Sequence, residues 1–391
     1  MDAPRAPARL RPEVRNLPAY NAGLAEADAR ARFGLETVVK LSSNENPYGP
    51  GPAVGRSLLA LGEAAGRYPD PHCTDLRERL AVLTGVAPDR LVFGNGSEDI
   101  IQMLCLATLS PGDRVLTLAP AFGLHEIFPM MMGASVERIP VTPSFGYDLP
   151  AWCAALQRPA RMIILSTPSN PVGCVLDAPQ LRQLLAAVPP GCLVVIDEAY
   201  FEYAAGPGYA DSLAILARQE LPWIVLRTFS KAYGLAGLRV GYGMASEAAL
   251  VAALDRVRTP FHVNIAAQRA ARAALDDTEH LERVVGWTLQ ERASLAGELA
   301  QLENRLGAGL RVAPSRGNFL FIDTRRRSDD VALSLMRKGV IVKPWRDGAY
   351  DTFIRVSVGT RAENAAFVAA LGEVLDDAPA GCAAAAVADS A

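Results

Sequence analysis

The sequence predicts an α/β protein: a mainly parallel sheet covered by helices on both faces, followed by a smaller α+β domain. Three observations predict it. Short, continuously apolar runs recur along the first two thirds of the chain: RLVFGNG, RVLTLAP, RMIILSTP, CLVVIDEAY, WIVLRTFSK and LRVGYGM. Strands that are apolar throughout, rather than at every second residue, belong to sheets buried on both faces. Between them lie segments such as SEDIIQMLCLATL and APQLRQLLAAV, with apolar residues at helical spacing; strands alternating with helices indicate a parallel sheet. After about Pro260 the pattern changes to one long helical stretch, Ile265 to Leu306, then short strand-like runs in RVAPSRGNFLFID, VIVKPW and FIRVSVG.

The chain divides accordingly. At 391 residues it exceeds one ordinary core, so a large and a small domain are expected. Residues 1–15, rich in Pro, Ala and Arg, read as a flexible N-terminus, and 16–55 as an arm that packs on the small domain. Residues 56–262 form the large domain and 263–375 the C-terminal small one. The low-complexity segment 376–391 reads as a disordered tail.

Composition narrows the function. The net charge of −3 suggests neither a nucleic-acid nor a membrane-surface partner. The N-terminus lacks the apolar core of a secretory signal, and no run reaches the roughly 18 apolar residues of a membrane span. Six cysteines form no CxxC pair and read as reduced thiols, while four histidines without paired spacing argue against a metal site. A cytoplasmic location is expected.

The chemistry concentrates at the strand ends. Asn95, Ser166, Asp197 and Ser230 each follow or close an apolar run. Ligands of open α/β sheets sit at the carboxyl ends of strands, so these residues point to one site. In TFSKAYGLAGLRVGY, Lys231 follows a buried strand, where an amine of lowered pKa can attack an aldehyde. Ser230 adds a hydroxyl, and Arg239 a planar fork suited to phosphate. Asp197 closes a strongly apolar strand and calls for a cap or a cationic partner. Tyr200 lies three residues on, and Asn170 sits between two prolines that restrict its backbone. In FGNGSEDI, the turn through Gly96 opens a helix at Ser97 and Glu98, whose free N–H groups favour an anion. Phe122 is placed to stack on a flat ring. Together these suit an aldehyde that carries a phosphate and a basic ring nitrogen.

These phrases resemble the fold-type I pyridoxal-phosphate aminotransferases (class I/II), and look closest to the histidinol-phosphate aminotransferase family. The likeness runs from about Asn16 to about Leu375, through LSSNENPYGP, SNPVG, DEAY, TFSKAYGLAGLRVGY and FIRVSVGTRAEN. The resemblance implies a seven-stranded large-domain sheet and pyridoxal 5′-phosphate as cofactor. It implies ping-pong transfer from an amino donor to a 2-oxo acid such as 2-oxoglutarate, in histidine biosynthesis. Lys231 would be the Schiff-base lysine, Asp197 the partner of the pyridine nitrogen, and Asn170 and Tyr200 the holders of the phenolate oxygen. Gly96, Ser97, Glu98, Ser230 and Arg239 would surround the cofactor phosphate, with Phe122 on the ring. Tyr48 would reach the phosphate of the neighbouring subunit, which implies a homodimer with shared active sites. Arg355 and Lys343 would bind the substrate's anionic groups, and Tyr20 and Asn44 would line its pocket.

Three positions depart from the family pattern. Phe122 stands where Tyr is frequent, His262 where relatives commonly carry Asn, and Lys343 where the family usually has Arg. Lys keeps the charge but loses the bidentate fork. Alternative readings are an aromatic amino-acid aminotransferase, a decarboxylase such as threonine-phosphate decarboxylase, and a non-catalytic relative serving as a binding module.

Overall fold

A computed structural model describes residues 10–21, 23 and 26–377. The expected tail, 376–391, lies almost wholly outside the described residues, as does most of the N-terminal segment; Pro12–Arg15 is a short helix.

The chain forms two compact units. Among the described residues, the first comprises 10–21, 45–288 and 313–318, and the second 23, 26–44, 289–312 and 319–377. The division thus differs from a cut at 262. Helix Ile265–Asp276 buries Ala267, Ala270, Ala271, Ala274 and Leu275, and packs on helices Pro52–Leu59 and Thr74–Thr84 of the first unit. An apolar helical face goes where it finds a matching surface, whatever the nearest change in sequence pattern. The N-terminal arm is likewise split: among its described residues, 16–21 cluster with the first unit, as do 45–55, and 23 and 26–44 with the second.

Strand β1 (Val39–Lys40) belongs to the second unit. The first unit is built on seven strands: β2 (Leu91–Gly94), β3 (Arg114–Ala119), β4 (Ser135–Pro140), β5 (Met162–Ser166), β6 (Leu193–Asp197), β7 (Trp223–Thr228) and β8 (Gly241–Ala245). Their order is β2-β8-β7-β6-β5-β3-β4. The run from β7 to β4 is parallel, and β8 is antiparallel to both its neighbours. Six of these strands were legible as apolar runs. The seventh, β4, is an edge strand with one buried residue out of six, and its polar sequence SVERIP hides it. The core beneath the sheet joins Val115, Ile164, Val195, Ile224 and Leu226 to Ile100, Leu104 and Leu254 of the covering helices.

The second unit holds β9 (Arg311–Val312), β10 (Phe319–Asp323), β11 (Val340–Ile341), β12 (Lys343–Pro344) and β13 (Phe353–Ser357). An antiparallel sheet runs β12-β13-β10-β9, while β1 pairs parallel with β11. Its core packs Leu320, Ile322, Ile354 and Val356 against Leu295, Leu299, Leu335, Phe367 and Leu371. The long helical stretch is two helices: at Asp277, ψ of 57° ends the first, and Thr278–Leu306 begins anew.

Candidate active site

In the first unit, parallel β5, β6 and β7 bring Ser166, Asp197 and Leu226 into register at their carboxyl ends. Asp197 is 5% exposed. Its Oδ1 accepts the Ala199 N–H at 3.0 Å, and its Oδ2 lies 2.9 Å from His125 Nε2. A carboxylate only accepts, so Nε2 is the donor in this contact. His125 is fully buried, and its Nδ1 has no hydrogen-bond partner among the described residues. Donors on both oxygens fix the direction of the carboxylate.

His125 is the residue that sequence reasoning missed. It opens the helix Leu124–Met131 after β3. Its N–H donates to the Phe122 carbonyl at 2.8 Å, and the Phe122 ring meets its imidazole edge-on at 5.5 Å. The available signal was a histidine among apolar residues in FGLHEIF. Tyr20 in turn packs edge-on against Phe122 at 5.9 Å and is 49% exposed.

Asn170 follows β5 and is 7% exposed; the Thr167–Pro168 and Asn170–Pro171 peptide bonds flanking this turn are cis. Lys231 Nζ lies 5.8 Å from the ring centre of Tyr200, which is buried. The lysine loop is locked from behind. The Asn46 amide donates to the Ala232 carbonyl at 2.9 Å. Gly234, at φ +70°, lies against Gly49 and Pro50, where no Cβ fits.

The remaining residues form a basic cradle. Arg239, at φ +59°, donates from Nη1 to Ser230 Oγ at 3.3 Å and from Nη2 to Glu98 Oε1 at 2.8 Å. Thr228 Oγ1 donates to Ser230 Oγ at 3.0 Å. Helix Ser97–Thr108 starts directly after Gly96, with no side chain capping its N–H groups. Gly96 has φ 89° and ψ 162°, and a Cβ there would run into Arg239 Nη2 and lie 3.2 Å from its Cζ. At Gly241 a Cβ would strike the Ser97 backbone N–H. Two glycines therefore let an arginine and a helix N-terminus converge, a donor set for an anion. Glu98 neutralises part of Arg239 through its side chain, so its own contribution to an anion is its backbone N–H.

Behind Asp197, Glu198 is fully buried and takes Arg227 in two-point fashion, at 2.9 Å from both Nε and Nη2. The Arg227 guanidinium also covers the Phe201 ring at 3.4 Å. Tyr48 packs on Trp287 of its own chain at 4.9 Å. His262 donates from Nε2 to the Phe93 carbonyl at 2.9 Å, which ties it to the end of β2.

The second unit gathers the other expected residues. Asn44, fully buried at φ +54°, donates its N–H to Ser357 Oγ at 2.7 Å and accepts the Ser357 hydroxyl at 3.0 Å. Arg355, 7% exposed, donates to the Ser42 carbonyl and sits 5.8 Å over the Phe319 ring. Lys343 is the cross-strand partner of Arg355.

The donor set fits pyridoxal phosphate: a basic anion cradle, an amine, and a buried carboxylate to pair with a ring nitrogen. Among the described residues no group of His, Cys, Asp and Glu is arranged to hold a metal, and no helix is long and apolar enough to cross a membrane.

Residues 36–371 match the family model for aminotransferase class I and II. The chain is 48% identical to histidinol-phosphate aminotransferase 3 of Rhizobium meliloti (strain 1021), over 93% of this chain and 97% of that protein. It is 46% identical to histidinol-phosphate aminotransferase 1 of Mesorhizobium japonicum, over 94% and 98% respectively. A solved histidinol-phosphate aminotransferase from Sinorhizobium meliloti, in complex with pyridoxal-5′-phosphate, superposes with a TM-score of 0.84 at 27% identity, covering 95% of this chain and 98% of the other. Thermus thermophilus aspartate aminotransferase, at 24% identity and a TM-score of 0.80, covering 94% and 99%, shares the fold.

Proposed function

Because the chain belongs to the aminotransferase class I and II family, we propose that it transfers the amino group of histidinol phosphate to 2-oxoglutarate with pyridoxal phosphate as cofactor. The observation that carries the chemistry is Asp197, buried at the end of β6 with a donor on each oxygen, on the same sheet edge as Lys231. The names of the relatives support the substrate. The first unit is then the cofactor domain and the second the smaller domain.

The cofactor supplies a carbonyl to capture the donor's amine and a ring that accepts electron density. Asp197 would pair with the ring nitrogen, and His125 fixes the direction of its carboxylate. Lys231 would hold the cofactor, and its amine would move the proton between the substrate's α-carbon and the other end of the transfer. Tyr200 and Asn170 donate to the phenolate oxygen. Ser97, Ser230, Arg239 and the N–H groups at Gly96 and Glu98 hold the phosphate, and Phe122 covers the ring. Arg355 takes the carboxylate of glutamate or 2-oxoglutarate, Lys343 joins it toward the substrate phosphate, and Tyr20 and Asn44 line the pocket.

The enzyme works as a cytoplasmic homodimer in this reading. Exposed Leu59 (88%), Tyr68 (81%) and Phe261 (39%) support it, with Tyr68 and Phe261 stacked at 4.5 Å; apolar side chains so exposed mark an interface. The exposure of Tyr68 favours it over Tyr48, whose ring is committed to Trp287, as the tyrosine offered to a partner.

A donor screen tests the function. Histidinol phosphate, phenylalanine and tyrosine are compared with 2-oxoglutarate as acceptor, and histidinol phosphate is expected to give the highest kcat/KM. Turnover of the aromatic acids without histidinol phosphate would overturn the substrate.

A further inference from the structure

In the second unit, β12 and β13 pair antiparallel with Lys343 directly opposite Arg355. Opposed residues share one face of a sheet, with Cβ atoms about 4.5–5.5 Å apart, and like charges so placed destabilise it. Neither group escapes into water: Arg355 is buried and Lys343 half-buried. Arg346, just beyond β12, adds a third positive field, with its Nε bonded to Asp329 at 2.8 Å. Arg355 is held in place by the Ser42 carbonyl and the Phe319 ring. Ser42 Oγ is itself buried and has no hydrogen-bond partner among the described residues. Two cations forced together are the donor set for an anion of more than one charge.

Only one of these cations can discharge. A guanidinium keeps its proton at any working pH, whereas an ammonium does not. Arg355 from β13 and Arg346, which is bonded to Asp329, both act on Lys343. Burial first, then Arg355 and Arg346, push the Lys343 ammonium down to about 8.

We propose that Lys343 is a titrating specificity residue: protonated, it adds the second charge that selects a phosphorylated amino donor, and neutral, it leaves Arg355 to hold a single carboxylate. This rests on the aminotransferase reading above and extends it to the phosphate end of the donor. The direction follows from the chemistry. Raising the pH past about 8 removes the charge of Lys343 while no substrate is bound. A phosphate dianion stabilises the ammonium, so the dianion binds together with a proton. Above that point, affinity for the phosphorylated donor falls up to about tenfold per pH unit, and a donor without phosphate does not follow this titration.

The test compares histidinol phosphate, as KM, with histidinol, as a competing ligand, from pH 7 to 9.5 on the holoenzyme with saturating 2-oxoglutarate. The ratio of the two constants cancels the titration of Lys231 and of the amino group common to both compounds. In the unsubstituted enzyme, preference for the phosphate should fall about tenfold or more between pH 8 and 9.5. Lys343→Arg should flatten the pH dependence, and Lys343→Met should show the lost preference already at pH 7. A flat ratio in the unsubstituted enzyme, or a Lys343→Arg ratio that tracks it, would overturn this proposal while leaving the aminotransferase reading standing. Turnover of phenylalanine with no use of histidinol phosphate would overturn both the donor assignment and this proposal.

Discussion

Gly96→Ala is the sharpest probe of the phosphate cradle, because its cost separates into two measurable parts. The first is backbone strain. At φ 89° and ψ 162° the residue occupies a region open essentially to glycine alone, so alanine costs about 1–3 kcal/mol in stability. The second is displacement. The new methyl overlaps Arg239 Nη2 and lies 3.2 Å from Cζ, so the guanidinium must swing away. Arg239 then loses its bond to Glu98 and its direction toward an anion. One charge-assisted hydrogen bond is worth about 1.5–3 kcal/mol, which reads as roughly a ten- to hundredfold weaker hold on the cofactor. Denaturant unfolding of the apoprotein measures the first part, and fluorescence titration with pyridoxal phosphate the second. Gly237→Ala is the control, since a Cβ there meets nothing within 4 Å; its effect should stay within about 0.5 kcal/mol. If Gly96→Ala bound the cofactor as tightly as the unsubstituted protein, Arg239 would not be held at the phosphate by this turn.

Lys231→Ala should abolish turnover and the visible absorbance of the lysine-linked cofactor; full activity in that variant would sink the catalytic assignment. His125→Phe removes one of two hydrogen bonds to Asp197, so kcat should drop about tenfold or more and the pH at which the bound cofactor changes colour should move. An unshifted spectrum with unchanged kcat would leave His125 a packing residue. Glu202 is pushed up to about 7, by burial first and against the pull of Arg227. The folded chain therefore holds a proton there that the unfolded chain has lost between about pH 4.5 and 7, and stability falls as pH rises through that window. The groups around it are Arg227, Glu198, Tyr203, Tyr233 and Tyr242. Glu202→Gln should remove that slope, gaining about 1–3 kcal/mol on the unsubstituted protein between pH 5 and pH 8; parallel stability curves would refute it.

Much of the candidate site was legible in the sequence. Asp197 stood out because a carboxylate after four buried apolar residues needs a partner, and Lys231, Ser230 and Arg239 share one short phrase. His125 did not stand out, because its partner lies 72 residues away and nothing local distinguishes a buried histidine that bonds a carboxylate from one that merely packs. The two edges of the reading failed for related reasons. Strand β4 covers a sheet edge and buries one residue, so it lacks the continuous apolar signal of the inner strands. The break at Asp277 falls in a polar stretch that suits a helix interior and a helix end equally well.

By itself the sequence determined the inner strands of the large sheet, the chemistry and the family, because apolar period and reactive side chains are local properties of the chain. Tertiary structure alone decided which surfaces those elements cover. It assigned Ile265–Asp276 to the first unit through an alanine face that fits two earlier helices. It also set Lys343 opposite Arg355 and His125 against Asp197. Such pairings depend on strand register and on how layers stack, and they join residues too far apart in the chain for any local pattern to reveal.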